Sequence, residues 1–330
     1  MSTGPHTDVG HIVGTDDLVD HGEIAAALDL ARRAPSVHNS QPWWWRIGDG
    51  VVQIWADLER WLPATDPDGR DLLLGCGAAL HHLRVALAAR GHSTVVRRLP
   101  DEDVPDLLAV VGVRPGPTTD TAVDPTLAPA VLRRRSDHRP FRRLPLPAAD
   151  LAALTAAAVS QGVHLHIVDD DAQAGVVELA QRTAAAEHTS VGYATELHSW
   201  IDGDGDGDGP TGTAGPGTVR GWQGPTIDGA VLVLLATSSD DRLSRLRAGE
   251  AASAVLLAAT TLGLATCPLS EPLETDVARG LVEAEVLRGA MCPQLFVRIG
   301  EPTFEPTAGR AASTPRRALA DQVELLGPDE

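Results

Sequence analysis

Lysine is absent from this 330-residue chain; all 27 basic residues are arginines. A Schiff-base lysine and a P-loop lysine are excluded, and with them pyridoxal-phosphate enzymes and Walker-type ATPases. Any phosphate held here must be met by guanidinium groups, backbone N–H groups or hydroxyls. Asparagine is nearly absent too: Asn39 is the only one. The three cysteines, Cys76, Cys267 and Cys292, form no CxxC pair and no zinc spacing. So low and odd a count fits a reducing compartment, with the thiols as small buried hydrophobes. Aromatics make up 3% of the chain, so a core drawn from its 43% hydrophobic residues must be mostly Ala, Val and Leu. Positive charge is also short, and a net charge of -18 opposes binding to nucleic-acid phosphates or an anionic membrane surface. No uninterrupted apolar run approaches the roughly 20 residues of a membrane span; the best is Ala230 to Ala236. Met1 to Asp20 lacks the basic start and apolar centre of a secretory signal. A cytoplasmic protein with no membrane or nucleic-acid partner is expected.

What is present falls into two stretches of similar order. Helical spacing covers Glu23 to Arg33 and stops at Pro35. Trp43 to Asp57 alternates as two strands about a Gly48-Asp49-Gly50 turn. An Ala/Leu-rich helix runs from Arg70 to Arg90, a buried strand from Leu107 to Val113, and a Pro/Thr/Asp-rich linker from Arg114 to Pro129. Helix, strand and helix then recur over Ala148 to Ala158, Val163 to Val168 and Asp171 to Trp200. A Gly-rich segment from Ile201 to Pro225 follows, then a strand (Ala230 to Ala236), a helix (Leu246 to Leu262) and a strand (Gln294 to Ile299). Gly77, Gly91 and Thr94 reappear at a constant offset of 172 as Gly249, Gly263 and Thr266. Chance likeness of two Ala-rich helices is the alternative to duplication. The matching glycines favour duplication, with halves at 1–128 and 129–330.

Four motifs carry chemistry. Ala34-Pro35-Ser36-Val37-His38-Asn39-Ser40-Gln41-Pro42-Trp43 packs hydroxyls, amides and a proline-stiffened turn into ten residues and holds the sole Asn. Such a loop can present donors and acceptors to a flat heterocycle; ordinary turn chemistry is the plainer reading. In Arg133-Arg134-Arg135-Ser136-Asp137-His138-Arg139-Pro140-Phe141-Arg142-Arg143, seven of eleven residues are Arg or His in an acidic protein. That reversal suits a phosphate dianion, though a solvated basic linker or nucleic-acid patch would read similarly. Gly263-Leu264-Ala265-Thr266-Cys267-Pro268-Leu269-Ser270 reads as a helix stop before a tight loop that a ligand can approach. Thr314-Pro315-Arg316-Arg317 adds a late Arg pair.

In this order the four motifs resemble the nitroreductase superfamily of FMN enzymes, and more closely its duplicated single-chain Acg-type branch, which carries an RRxDxRPF segment and a GEAxxxxLLAAxxLGLATxPL helix, as here. The resemblance implies an α+β fold: a mixed, mainly antiparallel sheet per half, wrapped by helices about a pseudo-two-fold axis. It implies FMN between the halves. Pro35, Ser36, Val37, His38, Asn39 and Gln41 would lie at the ring; Arg134, Arg135, Ser136, Arg139 and Arg316 at the phosphate and ring edge; Thr266, Pro268 and Leu269 at the reactive face. No protein residue need be catalytic, because the flavin carries the chemistry. The implied activity is hydride transfer from NAD(P)H, through FMN, to a small-molecule acceptor such as a nitro compound or quinone. A monomer would mimic the family's homodimer. The sequence departs from the family at His138, where an Arg is frequent, and in lacking a Lys near Arg316. The alternative is an FMN-storing protein whose flavin is covered, with residues 201–225 as the lid.

Other features are discounted. The Asp/Gly alternation from Asp202 to Gly209 lacks the twelfth-position Glu of a calcium loop. His81 and His82 are adjacent on a helix and should point apart. Trp43, Trp44 and Trp45 read as core and sheet packing.

Overall fold

The computed structural model describes residues 19–189, 192–193, 195–196, 229–303 and 314–326. Helix α1 (His21–Ala31) opens on an Asp20 cap and leads to strands β1 (Trp43–Gly48) and β2 (Val51–Ala56), helix α2 (Arg70–Ala89), and strands β3 (His92–Arg98) and β4 (Leu107–Pro115). Helices α3 (Ala128–Arg133) and α4 (Ala148–Ser160), strand β5 (His164–Ile167) and helix α5 (Asp170–Thr189) come next. Then follow β6 (Val231–Thr237), α6 (Arg242–Thr261), β7 (Ala265–Leu269), α7 (Asp276–Glu285), β8 (Cys292–Gly300) and β9 (Val323–Leu325).

Two sheets result. The first has order β3-β4-β2-β1-β9 and the second β5-β6-β8-β7. All pairings are antiparallel except β1 with β9. Setting β9 aside, β1-β2-β4-β3 and β5-β6-β8-β7 share one connectivity, as the α+β expectation requires. Where β1 and β2 join through a two-residue turn, β5 and β6 are separated by α5 and the residues after it. Alternation explains β1: Trp43, Trp45 and Ile47 are buried, while Trp44 stacks on Trp55 of β2 with ring centroids 5.3 Å apart.

The halves meet where α2 and α6 cross. A Cβ at Gly77 would overlap the Leu246 carbonyl oxygen, and one at Gly249 would overlap that of Leu74. These contacts are reciprocal at the 172-residue offset, as a two-fold relation demands. Leu74 accordingly lies in the hydrophobic core of the second half and Leu246 in that of the first. By length and mean hydropathy α2 could cross a membrane, although Arg70, Asp71, His81, His82 and Arg84 break it into short apolar runs. Every residue from Arg70 to Ala88 is instead buried in protein. The second sheet is covered on both faces, by α4 and α6 on one and by α5 and α7 on the other. The Gly-rich segment 201–225 lies outside the described residues.

Candidate functional site

The loop between α1 and β1 is held in an uncommon shape. His38, Asn39 and Gln41 have φ of 47°, 57° and 49°. Asn accepts this left-handed region more readily than His or Gln, so the loop carries strain that its contacts must hold. Ser36 Oγ accepts from the Gln41 N–H at 2.9 Å. Pro42 O accepts from the Asp57 N–H at 3.1 Å. A Cβ on Gly75 of α2 would stand 3.3 Å from Ser36 Cβ, so glycine lets the helix seat closely against the loop.

The C-terminal segment clamps this loop. Asn39 Nδ2 donates to Pro315 O at 3.0 Å, and Asn39 Oδ1 accepts from Arg316 Nη1 at 2.9 Å. Gln41 Oε1 accepts from the Arg317 N–H at 3.1 Å, while Arg317 Nη1 reaches Asp57 Oδ2 at 3.0 Å. Arg316 Nη2 also donates to Arg33 O at 3.3 Å. The sole asparagine thus joins positions 277 residues apart.

Arginines converge beside that clamp. Arg134, which follows α3, is buried, and among the described residues its Nε and Nη1 have no hydrogen-bond partner; buried Nε atoms of Arg316 and Arg33 also lack one there. Burial, then the proximity of Arg316 and Arg135, brings Arg134 down to about 9. Burial, then Arg135, Arg33 and Arg32, brings Arg316 down to about 10. Each guanidinium is therefore pressed by other guanidiniums, in a protein with excess carboxylate. An anion would relieve this.

The rest of the Arg-rich segment lies along the outer edge of β7. Ser136 bridges Thr266 in parallel, and the Asp137 N–H donates to Thr266 O at 2.8 Å. Arg135 Nη1 turns back to Leu132 O at 3.0 Å. Arg139 pairs with Asp137 at 2.6 Å, away from the cluster. Thr266 and Leu269 are buried, and Pro268 is half-buried. Burial pushes the Cys267 thiol up to about 12, so it offers no thiolate near neutral pH. The loop read as following Gly263 is strand β7: pairing with β8 satisfies its backbone on one side and Ser136 caps the other.

The structure therefore ties the Pro35–Gln41 loop to the C-terminal segment, Asn39 to Arg316 and Gln41 to Arg317, by direct hydrogen bonds and sets Arg134 and Arg135 near Arg316. Ser136, Arg139, Thr266, Pro268 and Leu269 form an adjoining edge. Three participants were missed. Arg33 immediately precedes the loop, and Arg317 neighbours Arg316, so adjacency was the available signal. His82 was set aside because neighbours on a helix diverge, yet His81 Nδ1 and His82 Nδ1 lie 2.7 and 2.8 Å from the same Ser253 Oγ. Cys292, expected to be buried, is half-exposed.

The corresponding region of the other half holds a compensated charge network. Gln161 precedes β5 as the loop precedes β1, but it joins a network in which Glu250 binds Arg84 and Arg98, each at 2.6 Å, and Arg84 binds Asp120 at 2.7 Å. Two cations meet two carboxylates there, leaving no uncompensated charge. Beyond α5, Tyr193 meets the His38 ring edge-on at 6.3 Å, and the Glu196 carboxylate accepts from the N–H groups of Ala64 and Thr65 at 2.8 and 3.1 Å. This segment of the second half rests against the loop of the first.

Residues 131–292 match the Nitroreductase family. Two Mycobacterium tuberculosis proteins align over nearly the whole chain. "Putative NAD(P)H nitroreductase Rv3131" is 40% identical over 325 residues, 92% of each chain. "Putative NAD(P)H nitroreductase acg" is 33% identical over 332 residues, 95% of this chain and 99% of its own. The solved FMN-dependent nitroreductase NfnB of Mycobacterium smegmatis, in complex with NADPH, is 19% identical and covers 60% of this chain and 98% of its own at a TM-score of 0.39. With 40% identity sustained over 92% of its length, the chain belongs to the nitroreductase family.

Proposed function

We propose that this chain binds one FMN between its halves and acts as an oxidoreductase, taking hydride from NAD(P)H and delivering electrons to a nitro, quinone or related acceptor. The observation that carries this reading is the buried arginine group. Arg134 and Arg316 present N–H donors without partners and have no carboxylate among their strongest influences. A phosphate monoester has the charge and the acceptor oxygens to satisfy them.

The donor set fits the cofactor in its other parts. Arg134, Arg135, Ser136 and Arg316 would hold the phosphate. Pro35, Ser36, Val37, His38, Asn39 and Gln41 would orient the ring, and Thr266, Pro268 and Leu269 would line its face. Arg139, engaged by Asp137, would brace this edge rather than meet phosphate. When bound, FMN supplies the redox chemistry at its N5 position. The chain's own residues bind, orient and exclude water, so none needs to act as acid or base. In this reading residues 1–128 and 129–330 are the two halves of a family dimer fused into one monomer. The Arg84–Glu250 network stands where a second site would otherwise be, and the reading places the protein in the cytoplasm.

A second reading, retention of FMN without turnover, is favoured by one observation: Tyr193 and Glu196 already rest against His38 and Thr65. An anaerobic absorbance titration with NADH and then NADPH separates the two. Bleaching of the flavin band near roughly 450 nm is expected for a reductase. A yellow protein that stays oxidised supports retention. No band after soaking in FMN overturns both.

A further inference from the structure

His82 lies on α2, wholly buried and close enough to Arg134 and Arg316 for both to oppose its protonation. Its Nδ1 is 3.0 Å from Ala78 O and 2.8 Å from Ser253 Oγ. A carbonyl oxygen can only accept, so Nδ1 carries the proton. Nε2 is therefore a bare lone pair. That atom is buried and has no hydrogen-bond partner among the described residues. Burial, with Arg134 nearby, brings His82 down to about 3, so the ring stays neutral and the lone pair stays available.

The tautomer is fixed from behind. Ser253 Oγ also lies 2.7 Å from His81 Nδ1, so one hydroxyl accepts from His82 and donates to His81. An acceptor without a donor is costly to bury. Beside it, Arg134 and Arg316 offer donors without acceptors. The unmatched atoms form a mixed set: several donors of positive charge and one neutral acceptor. The dianion of a plain alkyl phosphate, which has no hydroxyl, would satisfy the first and not the second. A phosphate carried on a hydroxylated chain satisfies both. The counterpart of His82 at the 172-residue offset is Ala254, so only one half carries this acceptor.

We infer that His82 Nε2 accepts a hydrogen bond from a side-chain hydroxyl of the bound flavin, making His82 a positioning residue that selects a polyol phosphate over a plain alkyl phosphate. This rests on the FMN-binding reading above.

The test is a binding cycle, read by quenching of flavin fluorescence. The ligands are FMN and an analogue with the same ring and terminal phosphate on a hydroxyl-free pentyl chain. Wild-type protein should prefer FMN by roughly ten-fold, the worth of one buried hydrogen bond. His82→Phe should bind the two about equally, and His82→Gln, which keeps an acceptor, should restore part of the preference. An unchanged preference in His82→Phe, or none in wild type, overturns the inference while leaving FMN binding intact. Failure of wild type to bind either ligand overturns the FMN reading instead. Should His82→Phe fail to fold, the 15N resonance of His82 Nε2 in wild-type protein decides. It should move upfield with FMN and not with the analogue; an equal response to both refutes the assignment.

Discussion

Replacing Arg134 by Met should stabilise the ligand-free protein while crippling its affinity for FMN. A guanidinium held at about 9 rather than 12.5 is disfavoured in the fold by on the order of 4–5 kcal/mol relative to water. The folded value is the lower one, so the penalty applies in full at pH 7 and is relieved only as pH rises above about 9. Met removes the charge and keeps most of the stem's packing. Allowing for local relaxation, the ligand-free protein should gain about 1–3 kcal/mol, a few degrees in melting temperature. With FMN bound the sign reverses. Two unpartnered N–H groups would each make a charge-assisted bond worth about 1.5–3 kcal/mol, so affinity should fall by roughly two to four orders of magnitude. Melting curves with and without FMN, together with fluorescence titration, measure both. A lower melting temperature for the ligand-free variant, or a change in affinity under about five-fold, would refute the reasoning.

Further outcomes follow from other contacts. Gly77→Ala and Gly249→Ala each drive a methyl into a helix carbonyl, so each should cost about 3 kcal/mol or more in urea unfolding, and the two should agree because the contacts are reciprocal. Glu250→Gln leaves Arg84 and Arg98 poorly paired and should cost about 3–5 kcal/mol without altering FMN affinity. Asn39→Gly tolerates the φ of 57° but cuts the links to Pro315 and Arg316; it should weaken FMN binding about ten-fold, and a neutral result would mean that the backbone shape alone matters. His82 is held near 3 against an ordinary 6.5, so its contribution to stability is whole above pH 6.5 and lost as pH falls toward 3. Wild type should therefore lose about 2 kcal/mol more than His82→Gln between pH 7 and pH 5, which urea midpoints at the two values will show.

Local chemistry was readable wherever neighbours in sequence are neighbours in space. The alternation of Trp43 to Asp57 about Gly48-Asp49-Gly50 specifies a hairpin, because strand period and turn chemistry are properties of adjacent residues. The 172-residue offset shows in the helix glycines because close crossing needs them. The family signature in Pro35 to Trp43 and Arg134 to Phe141 is likewise written in short runs. Strand β7 was not legible. Its small residues and Pro268 look like a loop, and only β8 and Ser136 make it a strand. Strand β9 is three residues long and exists through pairing with β1, far away in sequence.

By itself the sequence determined which groups are available: arginines without lysine, one asparagine, a proline-braced loop, and a repeated Gly/Ala helix. Tertiary structure decided what those groups do. That Asn39 grips Arg316, that Arg134 is buried without a counter-ion among the described residues, that His82 keeps a bare lone pair, and that Glu250 pairs with Arg84 and Arg98 all depend on burial and on partners at long separation. A side chain's desolvation and hydrogen bonding are set by what packs around it, and no short stretch of chain contains its own surroundings.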